Sequence, residues 1–407
     1  MPYGENITVA IAVYTGYNQE DSVLINGSAM RRGLFNTTYY HSYNITEEIL
    51  DQAAGTHTIF ADIAGDPKYA DVKRQDNKDY SKLDATGIIR LGEEVTEETI
   101  LVGILSPQMT AQGFVKGYSD SSESPKRGQR GRVDGIQVFT TEVVSQMGGG
   151  GGEQKTFIVQ GVKIRIAEAR QPTLGDKFGS RHGQKGTCGL ILQESDMPFS
   201  ARGIRPDLVM NPHAIPSRMT IGQFLESTSG KIGTTLGCLV DGTPFTSSVQ
   251  LSDYRDTLVK LGLEPYGNET LYNGMTGEMI ETEIFMGPTY YLCMKHMVED
   301  KINYRDTGGK TLLTHQPLEG RSAGGGLRIG EMERDALIGH GAASFIEESF
   351  MKRSDEHEVI FQKEDGVLDS KQEANVDTTI LRMPYAMSLM VHELEAMHIS
   401  TKLVTMA

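Results

Sequence analysis

The sequence contains no tryptophan and only three cysteines among its 407 residues. Cys188, Cys238 and Cys293 are far apart and odd in number. They therefore fit neither a disulfide framework nor a Cys-x-x-Cys zinc pair. We expect all three to be reduced cysteines that serve in packing.

Long hydrophobic runs are also missing, and no stretch has the length of a membrane span. The N-terminus "MPYGENITVAIAVY" lacks both the basic lead and the small-residue cleavage site of a secretory signal. These absences predict an intracellular protein with no membrane partner.

Basic residues are in deficit, with 39 Lys and Arg against 54 Asp and Glu, for a formal net charge of −15. This balance argues against nucleic-acid binding by the whole surface, which requires a basic footprint. One local exception runs from residue 163 to 185, a stretch that contains six Lys and Arg residues but only two acidic residues, Glu168 and Asp176. Such an island predicts a local, enclosed site for an anionic ligand.

The length and the ordinary apolar content allow roughly two to four compact units. "ITVAIAVYTGY" and "TYYHSYNI" predict strands, and "GRVDGIQVFTTEVVS" and "QKTFIVQGVKIRIAEAR" predict a strand pair around the pentaglycine at 148–152. Helices are predicted later in the chain, so the expected fold class is mixed α+β and multi-domain.

Two of the predicted helices bear on function. In "RMTIGQFLEST", Thr220 and Gln223 have the spacing of a capping box. In "TYYLCMKHMVEDKI", apolar residues recur at i, i+3, i+4 and i+7, which predicts a helix with His296 turned away from the apolar stripe. His296 is then available to a ligand, and a solvated helix face is the alternative explanation. Further helices are predicted in "GEMERDALIGHGAASFIEESFMKR" and "MPYAMSLMVHELEAMHI".

The stretch "GDKFGSRHGQKGTCG" (175–189) combines glycines with four side chains that donate hydrogen bonds to anionic oxygens. The four are Lys177, Arg181, His182 and Lys185. Because glycine allows a ligand to approach the backbone closely, the pattern predicts a phosphate-facing loop. A solvated turn with scattered charge is the alternative.

Three other segments offer groups for magnesium or phosphate. In "GYNQEDSVLIN", the adjacent Glu20 and Asp21 could share a hydrated magnesium, or could be two solvated acids at a strand end. In "NPHAIPSRMT", Arg218 precedes a predicted helix, where a guanidinium and a helix N-terminus can hold phosphate together. "EGRSAGGGLRIGEMERD" adds Arg321, Arg328 and Arg334.

Two motif-like stretches have the wrong spacing. "GGKTLL" ends like a phosphate-binding P-loop, but Tyr304 stands where the first glycine belongs. "HELEAMH" places His392 and His398 six residues apart, whereas a metalloprotease helix needs a spacing of four. A self-contained nucleotide hydrolase and a metalloprotease are both disfavoured.

The stretches "GYNQEDS", "GDKFGSRHGQKGT", "DLVMNPHAIPSRMT", "GPTYY…KHMVEDK" and "QPLEGRSAGGGLRIGEMERD…HGAASF" occur in this order. Together they resemble the C-terminal portion of the second-largest subunit of multisubunit DNA-directed RNA polymerase, of the eukaryotic, archaeal and large-DNA-virus type. The resemblance implies a hybrid-binding region at 1–45 and 163–315, a wall-like β-rich insertion at 46–162, and an anchor and clamp-like helical region at 316–407.

In this family, three aspartates of the largest subunit bind the first catalytic magnesium, and the acidic pair that matches Glu20 and Asp21 lies near the second, nucleotide-borne magnesium. The lysines that match Lys177 and Lys185 reach the RNA 3′ end and the nucleotide phosphates. The arginine that matches Arg218 contacts the incoming triphosphate. The resemblance therefore implies nucleotidyl transfer, with Mg²⁺ as cofactor, only in complex with the largest subunit.

The resemblance implies that other positions lie in regions that approach the RNA–DNA hybrid, the template or the largest subunit. They are Arg181, His182, His296, Arg321, Arg328 and Arg334. The implied partners are the largest subunit, the preceding part of the second-largest subunit, small assembly subunits, template DNA, nascent RNA and nucleoside triphosphates.

Two departures from the family pattern matter. The segment "DEHEVIFQKEDGVLDSKQEANVDTT" contains none of the four cysteines that bind zinc in cellular members, so we expect no structural zinc. The chain also begins inside the hybrid-binding region, which implies a naturally split subunit or an expressed fragment. A divergent, viral member would work in a cytoplasmic viral factory or a virion, and a cellular one in the nucleus.

A non-catalytic assembly or regulatory protein derived from such a subunit is the alternative function. The joint presence of five candidate active-centre residues favours the catalytic role, because a scaffold has no use for them. They are Glu20, Asp21, Lys177, Lys185 and Arg218.

Overall fold

The computed structural model describes residues 4–403 except for 52–55, 110–114, 147–153, 244, 246–249, 363–365, 367 and 370–377. The chain divides into two compact units, one formed by residues 1–123 with 130–302 and the other by 124–129 with 303–407. The expected mixed α and β, multi-domain fold is confirmed. The finer division at 45, 162 and 315 stays a prediction.

The first unit is rich in strands. They are β1 (Gly4–Ile11), β2 (Ser22–Asn26), β3 (Thr37–Thr46), β4 (Ile49–Asp51), β5 (Thr56–His57), β6 (Ile59–Phe60), β7 (Glu94–Val95), β8 (Ile104–Met109), β9 (Val115–Asp120), β10 (Gly131–Gln146), β11 (Gln154–Arg170), β12 (Lys177–Ser180), β13 (Lys185–Leu192), β14 (Phe199–Ser200), β15 (Leu208–Met210), β16 (Asn268–Tyr272) and β17 (Met279–Cys293).

Six of these strands pair in a closed ring, in the order β1, β15, β2, β13, β12, β17 and back to β1. The pairs β1–β15 and β2–β13 are parallel, and the other four are antiparallel. Apolar side chains such as Ile25, Phe178 and Tyr291 are buried together in this part of the unit. Lys177 and Lys185 begin the ring strands β12 and β13, and the candidates Glu20, Asp21, Arg181, His182 and Arg218 lie on the connections between ring strands.

A second sheet has the strand order β3, β11, β10, β7. The predicted strand pair is confirmed as the long hairpin of β10 and β11, whose register runs from Arg132 opposite Ala167 to Gln146 opposite Gln154. Side chains such as Val162 and Ile164 pack with Leu101 from the preceding segment in a separate core. The pentaglycine lies outside the described residues.

The helices of the first unit are short except for one. They are α1 (Gly27–Arg31), α2 (Ala214–Arg218), α3 (Ile221–Leu236), α4 (Leu251–Lys260) and α5 (Val298–Lys301), with a 3-10 turn at Pro67–Tyr69. Within the described residues, no helix combines the length and the apolar character needed to cross a membrane.

The helix predicted in "TYYLCMKHMVEDKI" is wrong over most of its length. β17 continues to Cys293, and only α5 is helical. Tyr291 pairs with Glu5 of β1 on one side and with Ser180 of β12 on the other. These two ladders outweigh the helical spacing of the apolar residues, since strand formation depends on neighbouring strands that a local pattern does not reveal.

The second unit contains β18 (Glu356–Gln362), β19 (Leu368–Asp369), β20 (Thr378–Pro384), α6 (Glu331–His340), α7 (Ala343–Glu347) and α8 (Tyr385–Ala396), with a π-helical turn at Glu348–Lys352. Val359, Phe361, Met383 and Val391 form its core between the small sheet and α8. The predicted helices in this part of the chain are present.

Candidate active site and nucleic-acid interface

The acidic pair lies on the loop between β1 and β2. Buried Asn18 fixes this loop, because its side chain accepts a hydrogen bond from Tyr14 N (3.2 Å) and donates one to Ala12 O (2.7 Å). Glu20 has a left-handed backbone (φ 54°), and both Glu20 and Asp21 have exposed side chains. The loop thus presents two adjacent carboxylates outwards from a fixed backbone.

The glycines of "GQKGTCG" allow this loop to lie against β13. A Cβ atom at Gly189 would be 2.1 Å from Tyr17 O, and one at Gly186 would be 2.8 Å from Asp21 O. Thr187 N also donates a hydrogen bond to Asp21 O (2.9 Å). The glycines therefore permit close approach of another chain segment, whereas the sequence suggested close approach of a ligand.

The two candidate lysines lie on the hairpin of β12 and β13. Lys177 is opposite Thr187, and Gly179 is opposite Lys185. Since cross-strand partners and residues two apart share a face of a sheet, Lys177 and Lys185 project from the same face. Lys185 is exposed and Lys177 is partly buried. The structure thus places both lysine side chains on one face of the hairpin. The same hairpin contacts the acidic loop.

Arg218 ends the short helix α2, because Met219 adopts a left-handed conformation (φ 53°). Its guanidinium forms an ion pair with Asp21 and donates a hydrogen bond from Nη1 to Gln184 Oε1 (2.8 Å). The Arg218 guanidinium is therefore the point where the loop of Glu20 and Asp21, the β12–β13 hairpin and α2 meet. The three segments are far apart in sequence.

A cavity of about 390 Å³ opens beside this contact. Its lining includes Glu20, Asp21, His213, Ser217 and Arg218. The cavity thus combines two carboxylates with a guanidinium, a mixture that suits a ligand carrying both phosphate and a divalent cation. Among the described residues, no group of three or more His, Cys, Asp or Glu side chains is arranged to hold a metal ion.

Arg181 and His182 lie at the turn of the same hairpin and share one partner, Glu226 of α3. Arg181 Nη2 donates to Glu226 Oε1 (2.6 Å), His182 Nε2 contacts Oε2, and Tyr290 N donates to Oε1 (2.9 Å). Burial alone would raise the pKa of Glu226, but the hydrogen bonds from Tyr290 N, Arg181 and His182 outweigh it and lower that pKa. The sequence did not single out Glu226, and no local pattern connects it with the hairpin turn.

His296 follows β17 and is not on a helix. Its pKa is lowered, chiefly by the charge of Lys301, with smaller contributions from desolvation and from Lys177 and Lys295. His296 therefore lies in a positive environment that includes one of the candidate active-centre lysines. Such an environment favours an anionic ligand.

The remaining three candidates lie in the second unit. Arg321 is partly buried, and its carbonyl accepts from Arg305 Nη2 (2.8 Å) and from Gly324 N (3.2 Å). Arg328 is exposed on a segment without regular secondary structure, and Arg334 on α6 pairs with Asp335 (2.9 Å). These three arginines belong to a different compact unit from the site around Arg218.

Two family models cover the chain. Residues 1–323 match RNA polymerase Rpb2, domain 6, and residues 325–406 match RNA polymerase Rpb2, domain 7. The chain therefore belongs to the family of second-largest subunits of multisubunit DNA-directed RNA polymerases, as its motifs predict.

Relatives from eukaryotes and archaea match nearly the whole chain. The chain is 40% identical to DNA-directed RNA polymerase II subunit RPB2 of Encephalitozoon cuniculi, over 99% of this chain and 35% of the relative. It is 39% identical to DNA-directed RNA polymerase II subunit 2 of Arabidopsis thaliana, over 100% of this chain and 34% of the relative. It is 36% identical to DNA-directed RNA polymerase subunit Rpo2 of Sulfolobus acidocaldarius, over 99% of this chain and 35% of the relative. The chain thus spans about a third of the length of these relatives.

Proposed function

We propose that this chain supplies the nucleotide-binding side of the active centre of a DNA-directed RNA polymerase. The observation that carries the proposal is the pairing of Asp21 and Arg218 beside one cavity. The hairpin of Lys177 and Lys185 contacts both of these residues, through Thr187 N and Gln184 Oε1. Family membership supports the polymerase context, and the geometry supports a site for a magnesium-bound triphosphate.

The Asp21–Arg218 pair suits a site that must open for a ligand. Their side chains are 54% and 31% exposed, and ion pairs at such exposure contribute on the order of 0–1 kcal/mol. A triphosphate offers the guanidinium several anionic oxygens and the possibility of bidentate contact. Exchange of Asp21 for phosphate therefore costs little, and Asp21 is released to face the cation that the nucleotide carries.

Glu20 and Asp21 fit a magnesium ion that is carried by the nucleotide. Mg²⁺ keeps several waters and binds to one or two carboxylates together with substrate phosphates, and these two exposed carboxylates match that donor set. Bound there, Mg²⁺ would help to polarise the phosphoryl group and to stabilise the charge on the reacting oxygens. Lys177 and Lys185 would stabilise the charge that develops on the phosphates, and the main magnesium ligands would come from the largest subunit.

Assembly is part of the proposal. We propose that the chain acts with the largest subunit, the preceding part of its own subunit, small assembly subunits, template DNA and nascent RNA. Arg181, His182, His296, Arg321, Arg328 and Arg334 are the proposed contacts to nucleic acid or to the largest subunit. An intracellular location is proposed on the same basis, and a viral location stays a prediction.

The test is the nucleotide dependence of primer extension by the assembled polymerase with Arg218→Ala. Loss of a contact to the triphosphate should raise the apparent Kd for nucleotide roughly 10- to 100-fold, since a hydrogen bond to a charged group contributes roughly 1.5–3 kcal/mol. Arg255→Ala is the control, because Arg255 is likewise an arginine paired with an aspartate, Asp256 (3.2 Å), and it lies outside the cavity. Equal behaviour of the two variants would contradict the proposal.

A further inference from the structure

Gln184 lies at the contact between the hairpin and the two helices α2 and α3, and it is 2% exposed. Its Oε1 accepts from Arg218 Nη1 (2.8 Å). Its Nε2 donates to Thr220 Oγ1 (2.6 Å) and to Ala214 O (3.2 Å). The neutral, buried side chain of Gln184, just before Lys185, thus contacts both ends of the segment that carries Arg218.

The chemistry of the partners fixes the orientation of the amide. A guanidinium only donates hydrogen bonds and the Ala214 carbonyl only accepts them, so the amide oxygen must face Arg218 and the amide nitrogen must face Ala214. Thr220 contributes to the same fixation. It occupies the N-cap position of α3, but its side chain makes no capping hydrogen bond and accepts from Gln184 instead.

The Gln184 amide can orient the Arg218 guanidinium without adding a negative charge, whereas a carboxylate cannot. Asp21 also contacts Arg218, but it carries a charge that opposes the attraction of the guanidinium for an anion. The Gln184 oxygen accepts from Nη1 without a formal charge and leaves Nη2 and the net positive charge for other partners.

We infer that Gln184 is a positioning residue that holds the Arg218 guanidinium towards the incoming nucleoside triphosphate without neutralising it. The inference rests on the proposed role of Arg218 in binding triphosphate. Gln184 itself acts through Arg218 and does not contact the nucleotide.

The experiment measures single-turnover nucleotide addition by the assembled polymerase as a function of nucleotide concentration. Gln184→Met keeps the size of the side chain and removes both the acceptor and the donor. We expect the apparent Kd for nucleotide to rise about 10-fold, with the rate at saturation within about 3-fold of wild type. A merely structural role would lower the amount of assembled enzyme and leave the apparent Kd unchanged.

A double-mutant cycle tests whether Gln184 acts through Arg218. In an Arg218→Ala background, Gln184→Met should change the apparent Kd by less than about 2-fold, because the group that it positions is gone. An equal effect in both backgrounds would overturn the inference. If Gln184→Met does not assemble, Gln184→Asn serves as the second variant, since its shorter side chain cannot span the same partners; we expect a smaller rise in the same direction.

Gln223→Met is the matched control. Gln223 is a fully buried glutamine of α3, and its amide contacts Ser180 and Met210 at 3.5 Å. We expect its apparent Kd to stay within about 2-fold of wild type. A wild-type Kd for Gln184→Met beside a raised Kd for Arg218→Ala overturns the Gln184 inference alone. A wild-type Kd for Arg218→Ala overturns the proposed function as well.

Discussion

Arg218 and Asp21 form an ion pair although 197 positions separate them in sequence. The pair joins the loop before β2 to the end of α2, and both side chains line the same cavity. The candidate phosphate-binding side chain and the candidate magnesium-binding side chain are therefore paired with each other. Exchange of these partners is the central feature of the proposed site.

Asp21→Asn should raise the Mg²⁺ concentration that gives half-maximal nucleotide addition. Removing an outer partner of a bound metal typically weakens metal binding by about 10- to 100-fold, so we expect a rise of roughly 10-fold. The measurement is a Mg²⁺ titration of primer extension by the assembled polymerase. Glu194→Gln is the control, because Glu194 forms a comparable ion pair with Arg32 (3.5 Å) outside the cavity. Superimposable titrations for wild type and Asp21→Asn would remove Asp21 from the magnesium site.

The isolated chain should show no template-directed RNA synthesis. The resemblance assigns the ligands of the first magnesium to the largest subunit, and an active centre without that metal cannot activate the RNA 3′ hydroxyl. Purified chain should fail to extend a primed RNA–DNA hybrid, whereas the assembled enzyme should extend it. Extension by the chain alone, with the largest subunit undetectable by mass spectrometry, would be the contrary result.

Elemental analysis after dialysis should find no stoichiometric zinc in this chain. The prediction comes from the absence of cysteine in "DEHEVIFQKEDGVLDSKQEANVDTT", because structural zinc sites are built mainly from cysteine and histidine. Part of this segment, residues 363–365, 367 and 370–377, lies outside the described residues. A zinc ion that is lost on substitution of His357 or His398 would show that other ligands replace the cysteines.

The pKa of His296 should be lower than that of an ordinary histidine. The charge of Lys301 is the main cause, so protonation of His296 destabilises the folded chain as pH falls through the ordinary value of 6.5. Lys301→Gln should raise this pKa, and binding of an RNA–DNA hybrid should raise it as well. Histidine hydrogen–deuterium exchange measured by mass spectrometry gives the value, with Lys260→Gln as a remote control. An unchanged pKa in Lys301→Gln would show that the lysine charge is not its cause.

Local patterns predicted the strands β1, β3, β10 and β11 and singled out the candidate site residues, but they did not predict the other strands or the contacts that orient the site. Thr220 has the sequence signature of a helix cap, and it does stand at the N-cap of α3. Its hydroxyl nevertheless accepts from Gln184, and Gln223, the expected partner in the capping box, is fully buried. A partner 36 residues away along the chain leaves no mark on a local motif.

For the same reason, local patterns could not predict the contacts of the glycines or of Glu226. A glycine-rich basic stretch predicts close approach to the backbone, but not which group approaches; at Gly186 and Gly189 it is the loop that carries Asp21. Glu226 lies on a predicted helix without any motif, and only the fold places it beside Arg181 and His182. Of the three cysteines expected to serve in packing, Cys188 and Cys293 are buried, whereas Cys238 is exposed.

The proposed role of the hairpin lysines in nucleotide addition is tested by single-turnover nucleotide addition by the assembled polymerase with Lys177→Ala or Lys185→Ala. Each ammonium should stabilise the charge that builds on the phosphates, so its loss should raise the barrier by roughly 2–4 kcal/mol. The rate on a preformed RNA–DNA hybrid should then fall roughly 30- to 1000-fold with assembly intact. Lys260→Ala, at an exposed position of α4, should keep the wild-type rate. Near wild-type rates for both hairpin variants would contradict the account, because a solvated lysine contributes only on the order of 0–1 kcal/mol.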